Sequence, residues 1–264
     1  MLSRRFVIFG LMFALSLAVW PATVVAKKPV DVVLIGSSSM GGALGNELNR
    51  QVREAGYSTY RRYRSSAGLC RPDFFDWWKE VRKLPIGEKT RAALVYLGGN
   101  DAQGMRLRKR ERFDAAGGRE VSWIRYGEPG WDGHYMARVI SLVDTLCERG
   151  VPRVLWLGPV DARKEKLQKR YTHVRDLQRR GVAASRCGVY VDTTGDADFL
   201  GTREERKKRR LRSRDGVHLT RLGADVLWER VGNQLLDFIA QAFVTSEGAA
   251  FEVRSSDTSE PEDG

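Results

Sequence analysis

The sequence has little with which to hold a metal or shuttle a proton. It contains three histidines and three cysteines in 264 residues. Neither a cluster of His, Cys, Asp or Glu at metal-ligand spacing nor a glycine-rich phosphate loop is present, so no cofactor is expected. There is no internal repeat, which argues against an array of stacked units. No aromatic-basic recognition motif stands out, so nucleic acid is not the expected partner. Beyond residue 20 no stretch is apolar enough to cross a bilayer, and no stable membrane span is expected once a leader is removed.

What is present begins with that leader. Met1 to Arg5 ends in two arginines, Phe6 to Trp20 is an almost unbroken apolar run, and Val24-Val25-Ala26 precedes Lys27-Lys28. These are the three parts of a secretory signal peptide, with an uncleaved anchor as the weaker reading because the apolar run is short for a bilayer; cleavage would leave the mature protein in a periplasm or outside the cell. The expected division is therefore a signal peptide over 1–26, one domain over 27–244, and a disordered acidic tail over 245–264. Such a compartment permits disulfides. Cys147 precedes an apolar strand-like run by six residues and Cys187 lies just before another, so the two could pair across one sheet edge. Three separate buried thiols fit the sequence equally well.

The net charge of +12 is unevenly spread. Six acidic residues against Arg254 make 245–264 net −5, which leaves +17 on the remainder. Basic runs occur at Arg61-Arg62-Tyr63-Arg64, Arg106 to Arg112 and Arg206 to Arg214. They read as solvated surface, or as a field that concentrates anionic partners such as envelope polysaccharides.

Strands and helices alternate along the chain. Val32 to Ile35, Thr59 to Tyr63, Ala92 to Leu97, Arg153 to Leu157 and Val189 to Val191 read as strands. Helical spacing covers Gly42 to Glu54, Phe74 to Leu84, Tyr135 to Glu148, Arg163 to Gly181 and Thr220 to Ala242. Mostly continuous apolar strands separated by helices give an α/β class, with a parallel sheet covered on both faces. Residues 102–131 are rich in Gly, Arg and Glu, and are expected as an insertion over the active face rather than as a core element.

Parallel sheets carry their chemistry at the carboxyl ends of the strands. There the sequence places Ser38 in Gly36-Ser37-Ser38-Ser39-Met40, ahead of a helix whose free N–H groups favour negative charge. Asn100-Asp101 follows the third strand after two glycines and offers a side-chain N–H to an oxyanion. Asp215-Gly216-Val217-His218 precedes the last helix, and a carboxylate three residues before a histidine can orient the imidazole as a base. His173 lies within a charged helix and His134 begins one, which makes both weaker candidates.

In this order, Gly-x-Ser, Gly68, Gly-x-Asn-Asp and Asp-x-x-His resemble the four blocks of the SGNH (GDSL-type) hydrolase superfamily. The resemblance extends from about Asp31 to Leu236. The stretches Ser65 to Trp77, Gly99 to Met105 and Arg214 to Thr220, with Trp131, Tyr135 and Arg138, resemble an exported bacterial subfamily long catalogued as a domain of unknown function. The resemblance implies a three-layer α/β/α flavodoxin-like sandwich with a five-stranded parallel sheet. It also implies a triad of Ser38, His218 and Asp215, with an oxyanion hole from the N–H groups of Ser38 and Gly68 and the Asn100 side chain. The superfamily usually has Asp before the nucleophile, and here that position is Ser37. The implied activity is hydrolysis of a carboxylic ester, with an anionic O-acetylated polysaccharide as the substrate suggested by export and basic charge. The alternatives are an O-acyltransferase on an envelope glycan and a non-catalytic glycan-binding protein of the same fold.

Overall fold

The computed structural model describes residues 28–115, 119–194 and 211–255. The leader expected over 1–26 and the end of the acidic tail lie outside them. Five short strands, β1 (Val32–Gly36), β2 (Thr59–Tyr63), β3 (Ala92–Tyr96), β8 (Val154–Leu157) and β9 (Gly188–Val191), form one sheet in the order β2-β1-β3-β8-β9. Every pairing is parallel, with Val32 of β1 set against both Thr59 and Ala92. This is the doubly wound order of flavodoxin-like folds, whose switch point lies between β1 and β3.

Alternation along the strands builds three layers. Val33, Ile35, Ala93, Val95, Val154 and Trp156 face one core, closed by α3 (Trp77–Val81), α4 (Trp131–Glu148) and α5 (Glu165–Ala183). Val32, Leu34, Ala92, Leu94, Leu155 and Leu157 face the other, closed by α1 (Ser38–Gly41), α2 (Ala43–Glu54) and the last helix, α6 (Arg221–Ser255). Residues buried on both faces of the sheet explain the unbroken apolar runs in the sequence. Each fully buried Leu or Ile contributes roughly 1.5–3 kcal/mol of transfer free energy.

Two expectations need correction. The last helix continues to Ser255, past the limit near Ala242, so the first eleven residues of the segment expected as a disordered tail are helical. The stretch 102–131 is not free of core positions. It carries two antiparallel pairs, β4 (Met105–Arg106) with β7 (Trp123–Ile124) and β5 (Phe113–Ala115) with β6 (Arg119–Val121). Met105, Leu107 and Ile124 are buried in the first core. Met105-Arg106-Leu107-Arg108 alternates apolar and charged, which is strand periodicity hidden beneath an arginine-rich composition.

Charge, rather than apolar area alone, ties this stretch to the domain. Arg138 of α4 is 1% exposed and donates to Leu69 O (2.7 Å), Arg106 O (2.6 Å) and the Glu111 carboxylate. Arg108 pairs with the same carboxylate at 2.6 Å. Burial pushes the Glu111 carboxyl up, but hydrogen bonds from Arg138 and Arg108 outweigh it and bring the pKa down to about 2. A second tie is covalent: Cys147 at the end of α4 and Cys187 at the start of β9 form a disulfide, while Cys70 is a buried free thiol.

The disulfide closes a separation of 40 residues. Its removal in a Cys147→Ser/Cys187→Ser variant is expected to cost about 2–4 kcal/mol in urea unfolding. Because the folded pKa of Glu111 lies below the ordinary 4.5, its charge stabilises the fold fully above that pH and loses its effect as pH falls towards 2. The stability gap between wild type and Glu111→Gln should therefore be widest near neutrality and shrink over that acid window, as followed by urea melts at stepped pH.

Candidate active site

The carboxyl ends of β1 and β3 approach closely. A Cβ at Gly36 would stand 2.5 Å from the Tyr96 carbonyl oxygen, so only glycine fits there. Ser37 N–H donates to that same oxygen at 3.2 Å, and the Ser37 carbonyl accepts from Met40 and Gly41. Backbone bonds thus brace the turn, and the Ser37 side chain makes no cap bond. The helix opening at Ser38 is a single turn ending at Gly41, and the helix expected from Gly42 to Glu54 follows it as α2 (Ala43–Glu54).

Ser38 Oγ lies 2.7 Å from His218 Nε2, across 180 residues of sequence. His218 Nδ1 lies 2.6 Å from Asp215 Oδ2. The other oxygen of Asp215 accepts from the backbone N–H of Val217 (2.8 Å) and His218 (3.0 Å), and Gly216 supplies the positive φ of 74° between them. A backbone clamp holds the loop: Ser213 N–H donates to His218 O, and Arg163 N–H donates to Gly216 O. Arg212 Nη1 donates to Val217 O at 2.6 Å. Burial raises the Asp215 pKa, but the bonds from His218 and Val217 prevail and lower it to about 2. The group is therefore an anion across the neutral range, as an orienting carboxylate must be.

Ser38, Asn100 and His218 share the wall of one cavity of about 40 Å³, with Tyr96, Pro159, Val160 and Tyr171 on its far side. Those four residues were not singled out in the sequence, although Pro159 and Val160 follow a strand and Tyr96 ends one. Tyr171 reaches the wall from α5 and donates to Gly99 O at 3.2 Å. Gly68 does not line this cavity. It stands behind Asn100, whose Nδ2 donates to Ala67 O at 3.1 Å. Of the other histidines, His173 pairs with Asp132 at 2.9 Å on the neighbouring helix, and His134 opens α4.

Asp101 is the buried hub beneath these loops, and its role was not legible in the sequence. It is fully buried, and its carboxylate accepts from Cys70 N–H (3.0 Å) and Tyr135 OH (3.1 Å). Gln178 Nε2 donates to Tyr135 OH (2.9 Å) and to Leu97 O (3.0 Å), which extends the network to the end of β3. Burial pushes the Asp101 carboxyl above its ordinary value. Trp131 stacks on Tyr135 with ring centroids 5.0 Å apart and donates to Gln103 O at 2.9 Å. The trio Trp131, Tyr135 and Arg138 therefore supports the loops that carry Gly68 and Asn100. Among the described residues no group of three or more His, Cys, Asp or Glu could hold a metal ion.

A Cβ at Gly68 would lie 2.1 Å from Asp101 Oδ1, and the neighbour is a fully buried carboxylate with nowhere to move. Gly68→Ala is expected to destabilise the fold by about 1–3 kcal/mol through overpacking. Urea unfolding of the variant against wild type measures it.

Comparison with solved structures finds similar folds at low identity. An acetylxylan esterase from Geobacillus stearothermophilus is 15% identical, with a TM-score of 0.49, over 81% of this chain and 96% of that one. A family 3 carbohydrate esterase from Clostridium thermocellum is 13% identical, with a TM-score of 0.46, over 80% and 100%. The catalytic domain of peptidoglycan O-acetyltransferase A from Streptococcus pneumoniae is 12% identical, with a TM-score of 0.44, over 84% and 97%. No curated protein matches the chain. A family profile described as "Protein of unknown function (DUF459)" matches residues 31–234, most of the described domain, and the chain belongs to that family.

Proposed function

We propose that this protein is an exported serine esterase that hydrolyses short-chain carboxylic esters, with an O-acetylated envelope polysaccharide as its substrate. Export rests on the leader over 1–26. Among the described residues no helix is long and apolar enough to cross a membrane. The observation that carries the chemistry is the line of Ser38 Oγ, His218 and Asp215, at 2.7 Å and 2.6 Å.

Each group has a role set by its bonds. His218 Nε2 takes the proton from Ser38 as Oγ attacks the ester carbonyl carbon. Asp215 fixes the proton of His218 on Nδ1, so that Nε2 has a free lone pair. The negative charge that develops on the carbonyl oxygen is met by the Ser38 N–H and the Asn100 amide, both on the cavity wall; the Gly68 N–H, which the resemblance also implies, lies off that wall. His218 then gives its proton to the departing alcohol. In the second half His218 deprotonates a water, which attacks the acyl-enzyme and releases the acid and Ser38.

The cavity supports a limit on the acyl group. Its volume of about 40 Å³ is far below the roughly 300 Å³ at which drug-sized ligands begin to fit. A cavity of that size favours a short acyl group over a fatty chain.

The mature protein is expected to turn over p-nitrophenyl acetate and to leave p-nitrophenyl palmitate essentially untouched. Ser38→Ala should abolish the acetate activity. Asn100→Ala should lower kcat by about 10²–10³-fold, the usual loss for one oxyanion donor. Initial-rate assays decide it: a Ser38→Ala protein that keeps the wild-type rate removes the proposal.

A further inference from the structure

Around the segment that follows β2, the surface has a different character. Four large apolar side chains are exposed among the described residues: Tyr63, Phe74, Trp123 and Leu222. Three of the four are aromatic, and each of those has an arginine guanidinium over its ring. Arg61 lies 5.7 Å from the Tyr63 centroid, Arg64 5.3 Å from that of Phe74, and Arg71 5.5 Å from that of Trp123. Single exposed apolar residues are ordinary. These three exposed rings are instead linked: Arg64, next to Tyr63, lies over Phe74, and Arg71, whose carbonyl accepts from Phe74 N–H, lies over Trp123.

Contacts join the arc to the site at both ends. The Tyr63 ring packs on Gly41, in the same helical turn as Ser38, so closely that a Cβ there would lie 2.5 Å from it. Arg64 N–H donates to Gly36 O at 3.1 Å, and Phe74 N–H donates to Arg71 O at 3.1 Å. The Trp123 ring packs on Gly104 in the same way, at the end of the loop that begins with Asn100. Ser38 lines the cavity, and its own helical turn touches the arc through Gly41, so two unlike surfaces meet at the serine. One is the small cavity lined by Tyr96 and Pro159; the other is an exposed aromatic and cationic arc that runs from Tyr63 of β2 to Trp123 of β7.

We propose that this arc is the saccharide subsite of the protein, and that its ligand is an anionic sugar polymer presenting an acylated hydroxyl to Ser38. The exposed parts of the Tyr63, Phe74 and Trp123 rings offer apolar surface to the C–H faces of sugar rings. The Arg71 guanidinium is bound to Asp73 by three hydrogen bonds, the shortest 2.9 Å, so that pair offers little net charge. Arg61 donates to the neutral amide of Asn46 at 2.7 Å, and Arg64 rests on Phe74. These two guanidiniums keep their charge for carboxylates of the ligand. The link to Ser38 rests on the esterase assignment, whereas the affinity of the arc for the polymer does not.

Binding can therefore be measured without turnover. Ser38→Ala protein is run through native gels containing O-acetylated polygalacturonate, neutral acetylxylan or poly(dT). The polyuronate is expected to retard it most strongly. Phe74→Ala, Trp123→Ala or Arg64→Gln, added to that background, should each weaken retention at least tenfold, while Phe74→Tyr keeps it. In the active enzyme the same substitutions should lower the ratio of polyuronate deacetylation to p-nitrophenyl acetate hydrolysis by a similar factor, through KM rather than kcat. Absence of retardation by polyuronate, equal retardation by acetylxylan, stronger retardation by poly(dT), or variants that bind as tightly as the parent would each overturn the assignment. Loss of acetate hydrolysis in wild type would overturn the esterase mechanism instead and leave the gel result standing.

Discussion

The bond between Ser38 Oγ and His218 Nε2 is the constraint around which the domain is arranged. It joins the end of the first strand to a loop just before the last helix, and neither partner can be placed alone. The serine is fixed because β1 and β3 close to backbone contact at Gly36 and Tyr96. The histidine is fixed because the Asp215 carboxylate bonds its ring and its own loop backbone together. Both anchors are short-range and made mostly of backbone, which suits a centre that must hold its geometry to within a fraction of an ångström.

A second, buried layer stands under the first. Asp101, Tyr135 and Gln178 link the 67–70 loop, the end of β3 and two helices through bonds of 2.9–3.1 Å. A fully buried carboxylate is costly unless its oxygens are bonded. Here that cost is offset by holding the two loops that carry Gly68 and Asn100. Arg138 performs the same service between the first loop and the 102–131 stretch, with Glu111 as counterion. Gly68 and Asn100 thus depend on a polar core, and Ser38, Asp215 and His218 on backbone turns.

How much of this the sequence discloses follows from the range of each interaction. The five strands and their helices are legible because burial on both sheet faces writes continuous apolar runs such as Val32 to Ile35 and Ala92 to Leu97. Ser38 and Asn100 stand out because they follow strands, and Asp215 and His218 because they form a short motif ahead of the last helix; the structure brings Ser38, Asn100 and His218 to one cavity. Asp101 is visible as a residue but not as a hub, since its partners lie 31 and 34 positions away. The core strands of 102–131 are obscured by arginines at alternate positions. Tyr171 projects into the cavity from a helix dense with charge, and nothing in its local pattern marks that face. The cysteine pairing was one of two open options, because spacing alone does not set the distance between Cys147 and Cys187.

The central claim is that the Ser38 hydroxyl is activated by His218, and a mechanism-based probe addresses it directly. Folded wild-type protein treated with a fluorophosphonate should gain one phosphonyl group, and peptide mass mapping should place it on Ser38, with labelling lost in His218→Ala. Label on Ser37 or Ser39, no label on protein with a native unfolding transition, or undiminished labelling of His218→Ala would contradict the account.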